Sequence, residues 1–172
     1  MRSGTMFKSW TYFGISAFVA FFVFGHQVEA EELSAKDYLE INQLYARYVQ
    51  AIDLGDAIGW AHTFTLDGSF NSADSTVGRD ALIAFAERYH ETNGPDPRHW
   101  YNGLVITPTA SGAESKCYAL TFNVKTRHVM WTGTYQDVLV KTSDGWQFSS
   151  RHLTIETPVA GQSEKMWFLT GQ

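Results

Sequence analysis

Apolar and polar positions follow two rhythms along this chain, and the change between them falls near residue 97. From Ser34 to Leu54 the apolar residues Ile41, Leu44, Tyr45, Tyr48, Val49 and Ile52 recur at three- and four-residue intervals, the period of a helix with one buried face. Ser34 with Asp37 three positions on is a capping-box variant, and Gly55 offers the stop. Asp56 is placed to cap a second short helix carrying Ile58, Trp60, Ala61 and Phe64. A third helix, Arg79 to His90, presents Leu82, Ile83, Phe85, Ala86 and Tyr89 on one side and ends at Asn93-Gly94-Pro95-Asp96-Pro97. Between these helices, Leu66 to Phe70 reads as a brief strand and Asp74 to Gly78 as a loop.

Beyond Pro97 the period becomes two. His99 to Thr107, Glu114 to Lys125, Val129 to Thr142 and Trp146 to Glu156 read as long strands, with Thr109-Ala-Ser-Gly112 and Ser143-Asp-Gly145 as hairpin turns. Three helices followed by a meander predict an α+β fold, with the helices packed on one face of an antiparallel sheet. Strands of this length accumulate twist, so the sheet is expected to curl into a cone with the three helices on its concave face. A small ligand would enter such a cone at its mouth.

The N-terminus does not belong to this pattern. Arg2 and Lys8 precede an uncharged stretch from Trp10 to Phe24, and Val28 and Ala30 stand where a signal peptidase cuts. Residues 1–30 therefore read as a signal peptide, the alternative being an uncleaved membrane anchor. Residues 31–157 read as one cone domain, and 158–172 as a tail carrying Met166, Trp167, Phe168 and Leu169. This division predicts an exported protein, periplasmic or secreted, that meets a membrane only through the segment before cleavage. The net charge is −5, and one unit more negative without the leader, so nucleic acid and anionic membranes are poor partners. Cys117 is the single cysteine, which excludes an internal disulfide. No histidine pair has metal-ligand spacing, no glycine loop fits a phosphate and no serine sits in a nucleophile elbow, so neither metal nor cofactor is expected.

The candidate chemistry lies where the two rhythms meet. Asp53 closes the first helix and His99 opens the first long strand, and a carboxylate that holds an imidazole in one tautomer is a simple route to a general base. Tyr48 or Tyr135 could then donate to developing negative charge. Asp56 reads as a helix cap. Trp60, Phe64, Trp131 and Tyr135 either line the ligand site or fill the core; alternation groups Val129, Trp131, Gly133, Tyr135 and Asp137 on one face without saying which face points inward.

Four segments carry a resemblance: Leu44-Tyr-Ala-Arg-Tyr48 with Ala51-Ile-Asp53 and Asp56; Trp60 to Phe70, ending Leu66-Asp-Gly-Ser-Phe70; Gly78-Arg-Asp-Ala81; and the hairpin Tyr135-Gln-Asp137 with Asp144-Gly-Trp-Gln-Phe148. Over Ala35 to Glu156 the chain resembles the SnoaL-like branch of the nuclear transport factor two-like superfamily. Scytalone dehydratase and hexachlorocyclohexane dehydrochlorinase of that group use an aspartate on the first helix and a histidine opening a sheet strand, the places held here by Asp53 and His99. The resemblance implies a cofactor-free lyase, dehydratase or isomerase acting on a small apolar or cyclic substrate. Asp53, His99 and Tyr48 would be its catalytic residues, and Trp60, Phe64, Asn123, Trp131 and Tyr135 would bind substrate. Asn123 stands in the region where the dehydratase has a second histidine, and Ile52 where it has a tyrosine. The resemblance also implies a homodimer formed through the sheet, and leaves a non-catalytic ligand-binding or dimerisation module as the alternative.

Overall fold

The structure is a computed structural model that describes residues 32–158. The expected leader, residues 1–30, and the tail beyond Pro158 lie outside the described residues.

Helix α1 (Ala35–Leu54) begins at the predicted box: the Asp37 backbone N–H donates to the Ser34 hydroxyl at 3.2 Å, and the Ser34 N–H donates back to the Asp37 carboxylate at 3.0 Å. It ends at Gly55, whose φ of 77° is the left-handed conformation that favours glycine. Asp56 then caps α2 (Ala57–Ala61) by accepting the Gly59 N–H at 2.8 Å. This helix is shorter than the sequence suggests, since Phe64 belongs to strand β1 (Phe64–Asn71) and not to the helix. The segment read as a loop contains a short strand, β2 (Ser75–Val77), paired with β1. Helix α3 (Arg79–Asn93) follows, then β3 (Pro97–Thr109), β4 (Gly112–Asn123), β5 (His128–Thr142) and β6 (Gly145–Pro158).

The six strands form one sheet in the order β2-β1-β6-β5-β4-β3. The meander is antiparallel as expected, but β1 joins β6 in parallel, so the sheet is mixed. Its curl has a local cause: the register shifts between Asn102 and Val105, between Thr121 and Phe122, between Thr132 and Gly133, and between Val138 and Leu139. Each shift is a bulge that adds a residue to one strand and bends it. At one of them Thr121 pairs with Trp131 while Phe122 pairs with Val129, leaving Met130 as the extra residue. Val129 consequently turns outward while Met130 and Trp131 are both buried, which corrects the simple alternation that grouped Val129 with Trp131.

The helices cover the concave face. Ile41, Leu44, Tyr48 and Ile52 of α1 and Leu82 and Ala86 of α3 join Trp131, Tyr135, Leu139, Phe148 and Leu153 of the sheet in one core. Trp100 and Tyr118 stand exposed on the opposite, convex face. No helix among the described residues is long and apolar enough to cross a membrane.

Asp37 fastens α1 to the β5–β6 hairpin. Besides its capping bonds, its carboxylate accepts from Lys141 Nζ at 2.7 Å and from Trp146 Nε1 at 2.9 Å. The Lys141 ammonium, then the Ser34 and Trp146 donors, hold the Asp37 carboxyl far below the usual range. A depressed folded-state pKa means that the unfolded chain binds this proton more readily, so the contribution is complete above about pH 4 and is lost as pH falls below it. The stability difference between wild type and Asp37→Asn, followed by thermal unfolding from about pH 6 to pH 3, is therefore expected to shrink toward the acid end.

Candidate functional site

Strand β3 is an edge of the sheet, so some of its backbone donors face away from β4. One of these, the His99 N–H, is taken by Asp53, whose Oδ2 and Oδ1 lie 2.9 and 3.2 Å away. The same carboxylate meets the His99 ring, with Oδ1 2.5 Å from Nδ1. Asp53 stands in the last turn of α1, where the helix dipole opposes a negative charge. Its placement there is offset by the two donors that His99 supplies. A carboxylate accepts, so Nδ1 is the donor in this pair, and in the neutral ring Nε2 is left with its lone pair free for a proton. Both residues are buried, at 7% and 8% exposure, which excludes the water that would weaken the pair.

The His99 ring is held between two others: the Tyr89 centroid lies 5.7 Å away and the Trp131 centroid 5.6 Å away, the latter edge-on. Beyond them the concave face is filled with aromatic side chains. Tyr48 contacts Trp60, Phe64, Tyr135 and Phe148 at centroid distances of 5.5 to 6.1 Å. A cavity of about 20 Å³ remains, lined by Tyr48, Ile52, Trp60, Tyr89, His99, Trp131 and Tyr135 among others. That is room for about one water molecule. Larger concavities of about 440 and 450 Å³ open elsewhere, the first lined by Lys116, Gln136 and His152 with Ser115 and Asp137, the second by Trp100, Tyr118 and Glu156, and neither is lined by Asp53 or His99.

A second polar centre sits deeper in the cone. Arg151 of β6 is fully buried and makes a two-pronged pair with Asp137 of β5, Nε to Oδ1 at 2.8 Å and an Nη to Oδ2 at 2.9 Å. The Tyr45 hydroxyl donates to the same carboxylate and lies 2.8 Å from the Ser115 hydroxyl. Four rings, those of Tyr45, Tyr48, Tyr135 and Phe148, surround the guanidinium with centroids 4.0 to 4.7 Å from Cζ. Burial, moderated by the Arg151 charge, raises the Tyr48 and Tyr135 phenols above the ordinary tyrosine value, so they keep their protons at neutral pH. Burial likewise pushes the Cys117 thiol up to about 11, which removes it as a nucleophile at neutral pH.

Of the residues singled out in the sequence, Tyr48, Trp60, His99, Trp131 and Tyr135 meet at one cavity, with Asp53 bound to His99 at its wall. Two stand elsewhere. Phe64 packs against Tyr48, Trp60 and Phe148 and does not line the cavity, because it opens β1 and not the end of α2. Asn123 ends β4, where its side-chain oxygen accepts the Lys125 and Thr126 N–H groups at 3.0 and 2.9 Å; it organises the turn before β5 and is not at the cavity. Tyr45, Tyr89, Asp137 and Arg151 were not foreseen as members of a site. A charge pair directly across a hairpin is a readable signal, but the bulge between Val138 and Leu139 moves Arg151 one place from where an unbroken hairpin would put Asp137's partner. Among the described residues no group of three or more His, Cys, Asp or Glu could hold a metal ion.

Residues 33–152 match the family model of the SnoaL-like domain. Among solved structures, ActVI-ORFA from Streptomyces coelicolor is 30% identical with a TM-score of 0.62, over 72% of this chain and 97% of that one. A protein from Catenulispora acidiphila, solved in complex with S-DNPA, is 32% identical with a TM-score of 0.62, over 71% of this chain and 95% of that one. A variant of Rv3472 from Mycobacterium tuberculosis, a protein described as of unknown function, is 27% identical with a TM-score of 0.66, over 74% of this chain and 76% of that one. No curated protein matches this chain.

Replacing one member of a buried ion pair leaves the other without compensation, which typically costs about 3–5 kcal/mol. Arg151→Met is expected to destabilise the protein by about that amount in urea unfolding. The double replacement Arg151→Met with Asp137→Leu is expected to recover part of the loss, because no unpaired charge then remains.

Proposed function

We propose, from the premise that this chain belongs to the SnoaL-like domain family, that it is an enzyme performing cofactor-free acid–base chemistry on a small cyclic molecule, as a lyase, dehydratase or isomerase. The observation that carries this reading is the buried clamp of Asp53 on Nδ1 of His99, a residue that lines the aromatic cavity. His99 Nε2 takes a proton from the substrate. Asp53 fixes the tautomer and stabilises the imidazolium that results, and Tyr48 or Tyr135, protonated at neutral pH, donates to the charge left on the substrate. The Catenulispora relative, bound to S-DNPA, is the precedent for a small ligand on this fold.

The cavity admits about one water, so a ring compound gains access only as the aromatic side chains part. The same filling favours a second reading, a non-catalytic module that binds a ligand or a second copy. Exposed Trp100 and Tyr118 on the convex face support a homodimer in either case. Export through residues 1–30, to the periplasm or outside the cell, is part of the same proposal.

The test begins with a thermal-shift survey of small cyclic metabolites, followed by turnover assays of each stabilising compound. For a converted compound, Asp53→Asn and His99→Gln are expected to lower kcat by about 10²–10⁴ while binding persists. Stabilising compounds that no form converts would favour the binding module, and turnover indifferent to His99→Gln would remove the base from the scheme.

A further inference from the structure

The convex face of the sheet carries apolar side chains that the other described residues leave open. Trp100 and Tyr118 are 62% and 66% exposed, and Trp100 stacks on Phe122 with ring centroids 6.1 Å apart. With Leu120, Thr132 and Glu156 they wall a groove of about 450 Å³. Contiguous exposed aromatic surface marks a place where something docks.

The sheet register shows which part of the chain comes nearest. Trp100 pairs with Leu120, Leu120 with Thr132 and Thr132 with Thr157, so one cross-strand row joins the far wall of the groove to the end of β6. Three strand spacings amount to about 14 Å. Beyond Pro158 the sequence continues through residues 159–172, where Met166-Trp-Phe-Leu169 is an unbroken apolar run. Residues 159–165 reach at most about 25 Å when extended, enough to carry that run back across the row to Trp100. Gly161 stands where such a path must reverse. Residues 1–31 join the domain at its other end: Glu32 shares a concavity with Thr109 and Gly112 of the β3–β4 turn, about 30 Å along β3 from Trp100.

We propose that the groove is the docking site of the chain's own C-terminal segment, with Met166, Trp167, Phe168 and Leu169 seated against Trp100 and Tyr118. A tether this short holds its far end at an effective concentration in the millimolar range. A second copy at micromolar concentration therefore contends for the same face at a disadvantage of about 10³. The homodimer suggested above assembles through this face only once the segment is displaced, which makes the tail a built-in regulator of assembly. Nothing in this depends on Asp53 and His99 acting as an acid–base pair.

A nitroxide on Thr170→Cys in the ¹⁵N-labelled full chain tests the contact, because Cys117 is buried and its thiol keeps its proton at neutral pH. The amide signals of Trp100, Tyr118, Leu120 and Thr132 are expected to be lost to paramagnetic broadening, while those of Thr109 to Gly112 persist as the internal reference. Trp167→Ser with Phe168→Ser should restore the lost signals. So should Trp100→Ser with Tyr118→Ser, a pair of surface changes that leaves the core intact. In a mixture that carries the nitroxide on one set of chains and ¹⁵N on another, the groove signals should remain. Groove signals that persist in the tagged chain, or a loss indifferent to both serine pairs, would overturn the proposal. Broadening centred on α2 and α3 would do the same by placing the segment on the helical side. Loss of signal in the mixture would seat the segment on a second copy instead. A full chain that sediments as a dimer, and as a monomer with Trp100→Ser and Tyr118→Ser, would give the face to that second copy and so contradict the proposal.

Discussion

A single carboxylate ties the last turn of the first helix to the free edge of the sheet, and the site depends on that tie. Asp53 accepts both the backbone and the ring donor of His99, so it fixes where strand β3 begins and how its imidazole is turned. An edge strand offers unpaired N–H groups; here one is closed from within by a helix residue. Tyr89 and Trp131 then limit rotation of the ring on either side, while the Asp53 carboxylate favours the proton on Nδ1.

The polar groups of the interior are divided between two stations set in an aromatic medium. The outer one, Asp53 and His99, adjoins the cavity. The inner one, Asp137, Arg151 and Tyr45, is sealed among rings and pairs its charges within itself. Low polarity strengthens every interaction in such a place and penalises every unmatched group. The inner pair therefore stabilises only while both members are present. The same medium keeps the tyrosine phenols protonated, and so able to donate, at neutral pH.

Local signals were legible in the sequence because their causes are local. The Ser34–Asp37 box, the Gly55 stop and the Asp56 cap are set by side chains within a few residues of the backbone they satisfy, and they fall where the sequence places them. The period of two located the four long strands. The parallel pairing of β1 with β6 and the short strand β2 have no local signature, since both depend on partners brought together by the fold. The bulges explain most of the remaining differences. An extra residue at Met130 turned Val129 out of the face it was grouped with, and another, Ser149 of β6, set Arg151 opposite Asp137. Asn123 illustrates a further limit: alignment to a relative's catalytic position says nothing of a turn whose N–H groups the amide oxygen caps instead. The SnoaL-like resemblance, by contrast, held over nearly the whole described domain.

The account is tested most directly by the protonation of one ring. In ¹⁵N NMR of the histidine side chains, with His99 assigned through His99→Gln, the neutral imidazole is predicted to carry its proton on Nδ1, with a downfield Nδ1–H signal that Asp53→Asn displaces. A neutral ring protonated on Nε2, or an Nδ1 signal indifferent to Asp53→Asn, would contradict it.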